Sequence, residues 1–236
     1  MDAIRAGISF FSTLKAGGDF DSLRRNLYVV PAVGGIMGLL MAIPGFFAAK
    51  INAGFAVILV YIALEGINHI DGLSDFFDAV FAPPPRKITA LKDINSGTGG
   101  HVAVSAYLIL LALFFSQMNE YELIYALILS QVMAKQGMLH LTLHFNPLWN
   151  GIMSEFTKYR QKRDFISYIF TAVIAGILAI HFPARVAVSV LAYFILISMF
   201  FAYVKREFGG INGDMAGALN CMIFVTVIGV WACLPW

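Results

Sequence analysis

The sequence predicts an all-α integral membrane protein, a single polytopic domain over 1–236. About seven transmembrane helices follow an N-terminal interfacial amphipathic helix. Three observations carry this. Apolar residues make up 59% of the 236 residues and charged ones 13%, against about 45–50% and about 25% in soluble domains, and mean hydropathy is +0.78. Apolar stretches near the roughly 20 residues needed to cross a hydrocarbon core of about 30 Å recur along the chain. The basic residues between them alternate from one side to the other.

The opening segment, 1–26, places Ile4, Ile8, Phe11 and Leu14 on one helical stripe, so it reads as a short helix at the interface, ended by Gly17-Gly18. Its start, Met1-Asp2-Ala3-Ile4-Arg5, lacks the charged-then-apolar order of a cleavable signal peptide. Spans are expected at 27–49, 53–70, 102–118, 121–143, 165–182, 184–203 and 217–235. Pro31 and Pro44 fall in the first, where neighbouring helices can satisfy the freed backbone groups. Gly34, Gly35 and Gly38 leave room there for a close neighbour. Cys221 and Cys233 both lie in the last span and read as small hydrophobes rather than a disulfide or metal pair.

With the N-terminus inside, inner segments hold thirteen of the sixteen Lys and Arg residues; outer segments hold Lys50 and Arg185, and Lys135 lies within a span. That bias puts the N-terminus in the cytoplasm of a cell with the chain in its plasma membrane. The net charge of +2 gives nucleic acid no electrostatic footing. The lipid bilayer is the expected partner, and the composition leaves a homo-oligomer open.

The same topology gathers the polar chemistry at one face. Glu65-Gly66-Ile67-Asn68-His69-Ile70-Asp71-Gly72-Leu73-Ser74-Asp75-Phe76-Phe77-Asp78 follows the apolar run Phe55 to Leu64. Asp71, Asp75 and Asp78, at i, i+4 and i+7, share one helix face, where like charges repel. A divalent cation removes that cost, and Mg²⁺ is usually held by one or two carboxylates plus substrate phosphates. Two further stretches, Leu91 to His101 and Gly209 to Ala218, add a lysine, two aspartates and Gly-rich turns before apolar runs. Glycines let backbone N–H groups approach phosphate oxygens, and a helix N-terminus adds a favourable dipole. Together the three suggest metal-dependent transfer on a pyrophosphate or phosphate ester. Each has a plainer reading alone: a solvated acidic helix end, a chain reversal, an N-cap. His140 and His144 lack the glutamate of a zinc-protease motif and read as structural. Lys135 requires a partner or a cavity; facing substrate phosphate is the functional alternative.

The stretch Asn68 to Asp78 resembles the His-x-Asp-Gly-Leu-x-Asp-x-x-Asp signature of the cobalamin synthase family, the adenosylcobinamide-GDP ribazoletransferases. Leu91-Lys92-Asp93 through Ser96-Gly97-Thr98-Gly99-Gly100 resembles the family's Met-Arg/Lys-Asp-Ser block, and Gly213-Asp214-Met215-Ala216-Gly217-Ala218 its Gly-Asp-x-x-Gly-Ala block. Order and spacing agree over nearly the whole chain. Departures are Gly66-Ile67 for a Gly pair, Asn68 for an apolar residue, Ser96 two positions late, Lys135 as the nearest candidate for a family arginine, and Asn220 near the place of an acidic residue.

The resemblance implies joining of adenosylcobinamide-GDP to α-ribazole or its 5′-phosphate, with release of GMP. In the expected chemistry the ribazole 5′-oxygen attacks the phosphorus next to cobinamide. It further implies Mg²⁺ on Asp71, Asp75 and Asp78, with Asp93 or Asp214 completing the site. His69 would orient a carboxylate or take the attacking proton. Asn68, Lys92, Asp93, Ser96, Gly97, Asp214 and Lys135 are the expected substrate-binding residues. Three rivals are weaker: an aromatic prenyltransferase uses two Asp-rich motifs on a diphosphate, and this sequence has one. A CDP-alcohol phosphotransferase needs an Ala-Arg soon after Asp-Gly, whereas Asp71-Gly72 is followed by Leu73-Ser74-Asp75. A small-molecule transporter predicts charges at mid-membrane, where only Lys135 lies.

Overall fold

The end of the bundle that holds the acidic stretch is built by helices that either start or stop there. The computed structural model describes residues 1–93 and 95–234; Ile94, in the second polar stretch, and Pro235 and Trp236, at the end of the expected last span, lie outside them. The α-helices run α1 (Asp2–Phe11), α2 (Phe20–Arg24), α3 (Val30–Lys50), α4 (Val57–Glu65), α5 (Asn68–Phe81), α6 (Lys87–Ala90), α7 (Thr98–Gln117), α8 (Glu120–His144), α9 (Ile152–Tyr159), α10 (Ile166–Ala179), α11 (Pro183–Glu207) and α12 (Gly213–Cys233). Among the described residues the only β-pairing is an isolated bridge between Pro147 and Ile211.

The protein is an all-α membrane protein, but the count of seven spans is not confirmed. Among the described residues four helical segments are long and apolar enough to cross a membrane: Leu27–Lys50, Thr98–Gln117, Pro183–Glu207 and Gly213–Cys233. A fifth arises if Gly54–Glu65 and Asn68–Phe81, bent by 97° at their junction, count as one. The expected span 53–70 is therefore broken. Gly66 sits at φ 73°, a left-handed conformation that costs glycine little. Thr13 satisfies carbonyls at the end of α4, its N–H donating to Leu64 (2.8 Å) and its hydroxyl to Ala63 (2.6 Å). The expected span 165–182 holds only 14 residues of α10, roughly 21 Å at 1.5 Å per residue. The expected span 121–143 is the long α8, but Glu122, Gln131, Lys135 and Gln136 dilute its apolar character, and all four are buried in the protein.

Helix α8 lies antiparallel along α3. Gly34 meets the backbone of Gln131, and a side chain at Gly38 would reach within 2.7 Å of the Ile128 Cα. Small residues thus let the two backbones touch, the packing lipid favours because it offers no hydrophobic drive of its own. At Gly35 the neighbour is only the Val132 side chain. Helix α1 is amphipathic as expected; it packs Ala3, Ala6 and Phe11 inward against α2 and α3. The chain then turns at Gly17 and Gly18, both at positive φ. Cys221 is buried and Cys233 exposed, both as free thiols.

Candidate active site

Helix α5 forms because Ile70, Leu73, Phe76 and Ala79 repeat at helical spacing and are buried. The acidic positions share the remaining face, Asp71 exposed and Asp75 and Asp78 half-buried. Two close approaches set this face against α12. A side chain at Gly72 would lie 2.9 Å from the Asp214 carbonyl oxygen, and one at Gly217 would lie 3.2 Å from the His69 Cα. The helices touch backbone to backbone, so Asp214 joins the α5 carboxylates. The charges acting on Asp75 are those of Asp214, Asp71, Asp78 and Asp93, in falling order. Among the described residues none of Asp71, Asp75 and Asp214 is in an ion pair with a basic side chain. Asn212 caps α12, accepting from the Met215 N–H at 3.0 Å, and its amide donates to the Asp214 carboxylate at 2.6 Å.

Asp78 has a different setting from the one expected. Its two carboxylate oxygens accept the N–H groups of Gly97 (2.7 Å) and Gly100 (2.8 Å), which binds the Gly-rich turn and the start of α7 to α5. Ser96, next to that turn, is exposed. The Lys92 ammonium stands 4.8 Å from the Trp149 ring centroid, a cation–π contact that aims the side chain. Asp93 accepts from the Asn95 N–H at 3.0 Å and its amide at 2.9 Å, which hold its carboxyl below the usual carboxylate range.

Below the acidic face lies a second charged group, fully inside the protein. The Lys135 ammonium donates to Glu65 (3.0 Å) and to Asn220 (2.9 Å). His69 Nδ1 lies 2.9 Å from the other Glu65 oxygen. Lys135, Glu65 and Asn220 are at most 3% exposed, so Lys135, expected on substrate phosphate, meets its counter-charge within the fold. Asn220, at the place of a family acid, is its second partner. Since a carboxylate can only accept, His69 presents Nδ1–H to Glu65 and keeps Nε2 as its acceptor. The sequence reading missed Glu65; the signal was its i, i+4 offset from His69.

Asn68, His69 and Asp214 border a cavity of about 260 Å³, closed by α1, α8 and α9. Among the described residues no three His, Cys, Asp or Glu side chains are grouped so as to hold a metal ion by themselves. The donor set on α5 and α12 is nevertheless hard oxygen, and Mg²⁺ commonly takes one or two carboxylates and draws the rest from substrate phosphate and water. Asp71, Asp75 and Asp214 fit that partial role.

The family model described as cobalamin-5-phosphate synthase matches residues 3–232. Two proteins of Archaeoglobus fulgidus named adenosylcobinamide-GDP ribazoletransferase are 37% and 39% identical to the chain, over 94% and 95% of it and 93% and 94% of their own lengths. A protein of the same name from Methanocella arvoryzae is 29% identical over 100% of the chain and 97% of its own. No solved structure matches. The chain belongs to the cobalamin-5-phosphate synthase family.

Proposed function

We propose that this protein is an adenosylcobinamide-GDP ribazoletransferase, joining that nucleotide to α-ribazole or its 5′-phosphate and releasing GMP. Beyond family membership, one observation supports the assignment at the level of residues. Gly72 and Gly217 press α5 onto α12, so carboxylates 139 positions apart, Asp75 and Asp214, act on each other with no basic partner among the described residues. A site built that way favours a cation and a phosphate rather than a neutral ligand.

The reaction breaks the bond between the phosphorus next to cobinamide and the oxygen of the GMP phosphate, and forms a bond from that phosphorus to a ribazole oxygen. GMP leaves with the bridging oxygen. The family's product name carries a 5-phosphate, and a 5′-phosphorylated acceptor has no free 5′-hydroxyl. The attacking group is therefore a ribose ring hydroxyl, and the expected 5′-oxygen is set aside. His69, with Nδ1–H held by Glu65, accepts that hydroxyl's proton at Nε2. Lys92, on the loop that leads into α7, would meet diphosphate charge, as would the N–H groups of that helix start other than those of Gly97 and Gly100, which Asp78 holds. Mg²⁺ held through Asp71, Asp75 and Asp214 would neutralise the diphosphate and stabilise the leaving phosphate. Asp78 keeps the Gly-rich turn in register with those groups.

Positive-inside bias supports an N-terminus and a catalytic end facing the cytoplasm, with the chain in the plasma membrane. Arg24 and Arg25 stack on Tyr159 at 4.4 and 4.7 Å from its centroid, beside Lys158, so basic residues from two inner segments gather there. The test is an assay of purified protein with adenosylcobinamide-GDP and α-ribazole, in Mg²⁺ or EDTA, following corrinoid product and GMP together. Equal, Mg²⁺-dependent formation of both is expected; no product from folded protein would overturn the assignment.

A further inference from the structure

The geometry points to the 260 Å³ cavity as the seat of the acceptor's aromatic base: a flat, bicyclic, methyl-edged heterocycle bound between α1, α8 and α9, with its ribose directed to Asp214. This deepens the ribazoletransferase reading and rests on it.

Three features argue for that occupant. The first is the wall: Phe10 and Phe11 from α1, Met138 and Leu139 from α8, and Met153 and Phe156 from α9. Phe10 and Phe156 meet edge to face at 5.2 Å, and Phe11 stacks on His69 at 6.3 Å. Rings and thioethers of this kind accept a π-face. The second is polarity: Asn68, His69 and Asp214 line the cavity with Glu65, whose carboxylate is already taken by Lys135 and His69, and Thr142 on α8 turns its hydroxyl back to the Met138 carbonyl at 2.8 Å. A guanine base would bury its amide donors against Met and Phe without partners, a cost of about 1–3 kcal/mol for each such group. A benzimidazole presents no such donors. The third is size. The volume, about 260 Å³, lies at the lower edge of small-ligand sites of roughly 300–1,000 Å³, which admits a bicyclic base and excludes a corrin macrocycle. The corrinoid nucleotide is left to approach the carboxylates from the open side, where Asp71 is exposed.

Direction follows from the same placement. His69 lines the cavity and lies two positions before Asp71 on α5. A base inserted past Phe156 leaves its ribose hydroxyls at the His69 and Asp214 end, beside the proton acceptor. Helix α1 thereby acquires a function: it forms a wall of the acceptor site.

Two filling variants test this. Met153→Trp occupies the buried interior, and Ile152→Trp places an indole at the rim, where Ile152 is 40% exposed and substitution leaves the core intact. Steady-state kinetics on each should show KM for α-ribazole raised at least about tenfold, with KM for adenosylcobinamide-GDP and inhibition by GMP within about twofold of wild type. Equilibrium dialysis of α-ribazole alone should show the same weakening. If Met153→Trp does not fold, Ile152→Trp decides the question. A rise in KM for the corrinoid nucleotide or loss of GMP inhibition, with α-ribazole unaffected, would overturn the inference in favour of a nucleotide site. No change in either substrate would overturn it in favour of plain packing space. Absence of product from the wild-type protein would instead break the transferase assignment itself.

Discussion

Two groups of charge lie within a few residues of each other, and they are opposites. In the interior Glu65, Lys135, His69 and Asn220 satisfy one another almost completely. On the face above, Asp71, Asp75 and Asp214 lie among carboxylates, and among the described residues Asn212 is the one side chain that donates to them. A buried ion pair that closes on itself neither needs nor invites a ligand, and taking away one member leaves a charge where water cannot reach it. An unpaired set of carboxylates is stable only when something positive arrives from outside. The first group is therefore scaffold and His69 orientation; the second is where substrate and cation are received.

Substitutions that treat the two groups alike should separate them. The largest effect on turnover is expected from Asp75→Asn, a fall in kcat of at least about a thousandfold, read by GMP release. Its stability in detergent should be unchanged or higher, since a like-charge repulsion is relieved. Lys135→Met does the reverse. It strands the Glu65 carboxylate and should cost about 3–5 kcal/mol in unfolding free energy; the Glu65→Gln, Lys135→Met double variant should recover much of this while His69, without its carboxylate, keeps turnover low. Gly72→Ala comes next. Its methyl would sit 2.9 Å from the Asp214 carbonyl, and overpacking of that kind costs about 1–3 kcal/mol. Pushing α5 off α12 should lower kcat more than it raises KM. Asp78→Asn is the mildest: the Gly97 and Gly100 N–H groups lose part of their acceptor, about 1 kcal/mol by analogy with a helix cap, and activity should fall less than in Asp75→Asn.

Much of this contrast was legible in the sequence, and its gaps have physical causes. The i, i+4, i+7 spacing of Asp71, Asp75 and Asp78 placed them on one helix face, and the three polar stretches do meet at one end of the bundle. What sequence could not supply were partners set by folding. The partner of Lys135 is 70 residues away, and the break at Gly66 depends on Thr13 reaching across 50 residues to close the end of α4. The apolar run stops at Leu64, but Ile67 and Ile70 follow closely enough that the second span read as continuing straight to 70. Asp78 looked like its neighbours because periodicity describes a face and is silent about which carboxylate another backbone will occupy. Helix α8, expected as a span, is long enough at 25 residues, but its buried Glu122, Gln131, Lys135 and Gln136 keep it from being apolar enough to count as one.

On the proposed reading the α5–α12 carboxylates, and not the interior pair, receive cation and diphosphate together. Binding of Mn²⁺, a paramagnetic stand-in for Mg²⁺, to the purified protein tests it most directly, followed with and without adenosylcobinamide-GDP in wild type and in Asp75→Asn. Weak binding alone, markedly tighter binding with the nucleotide, and loss of that enhancement in Asp75→Asn are expected. Equal binding in the two proteins, or full turnover in EDTA, would contradict it.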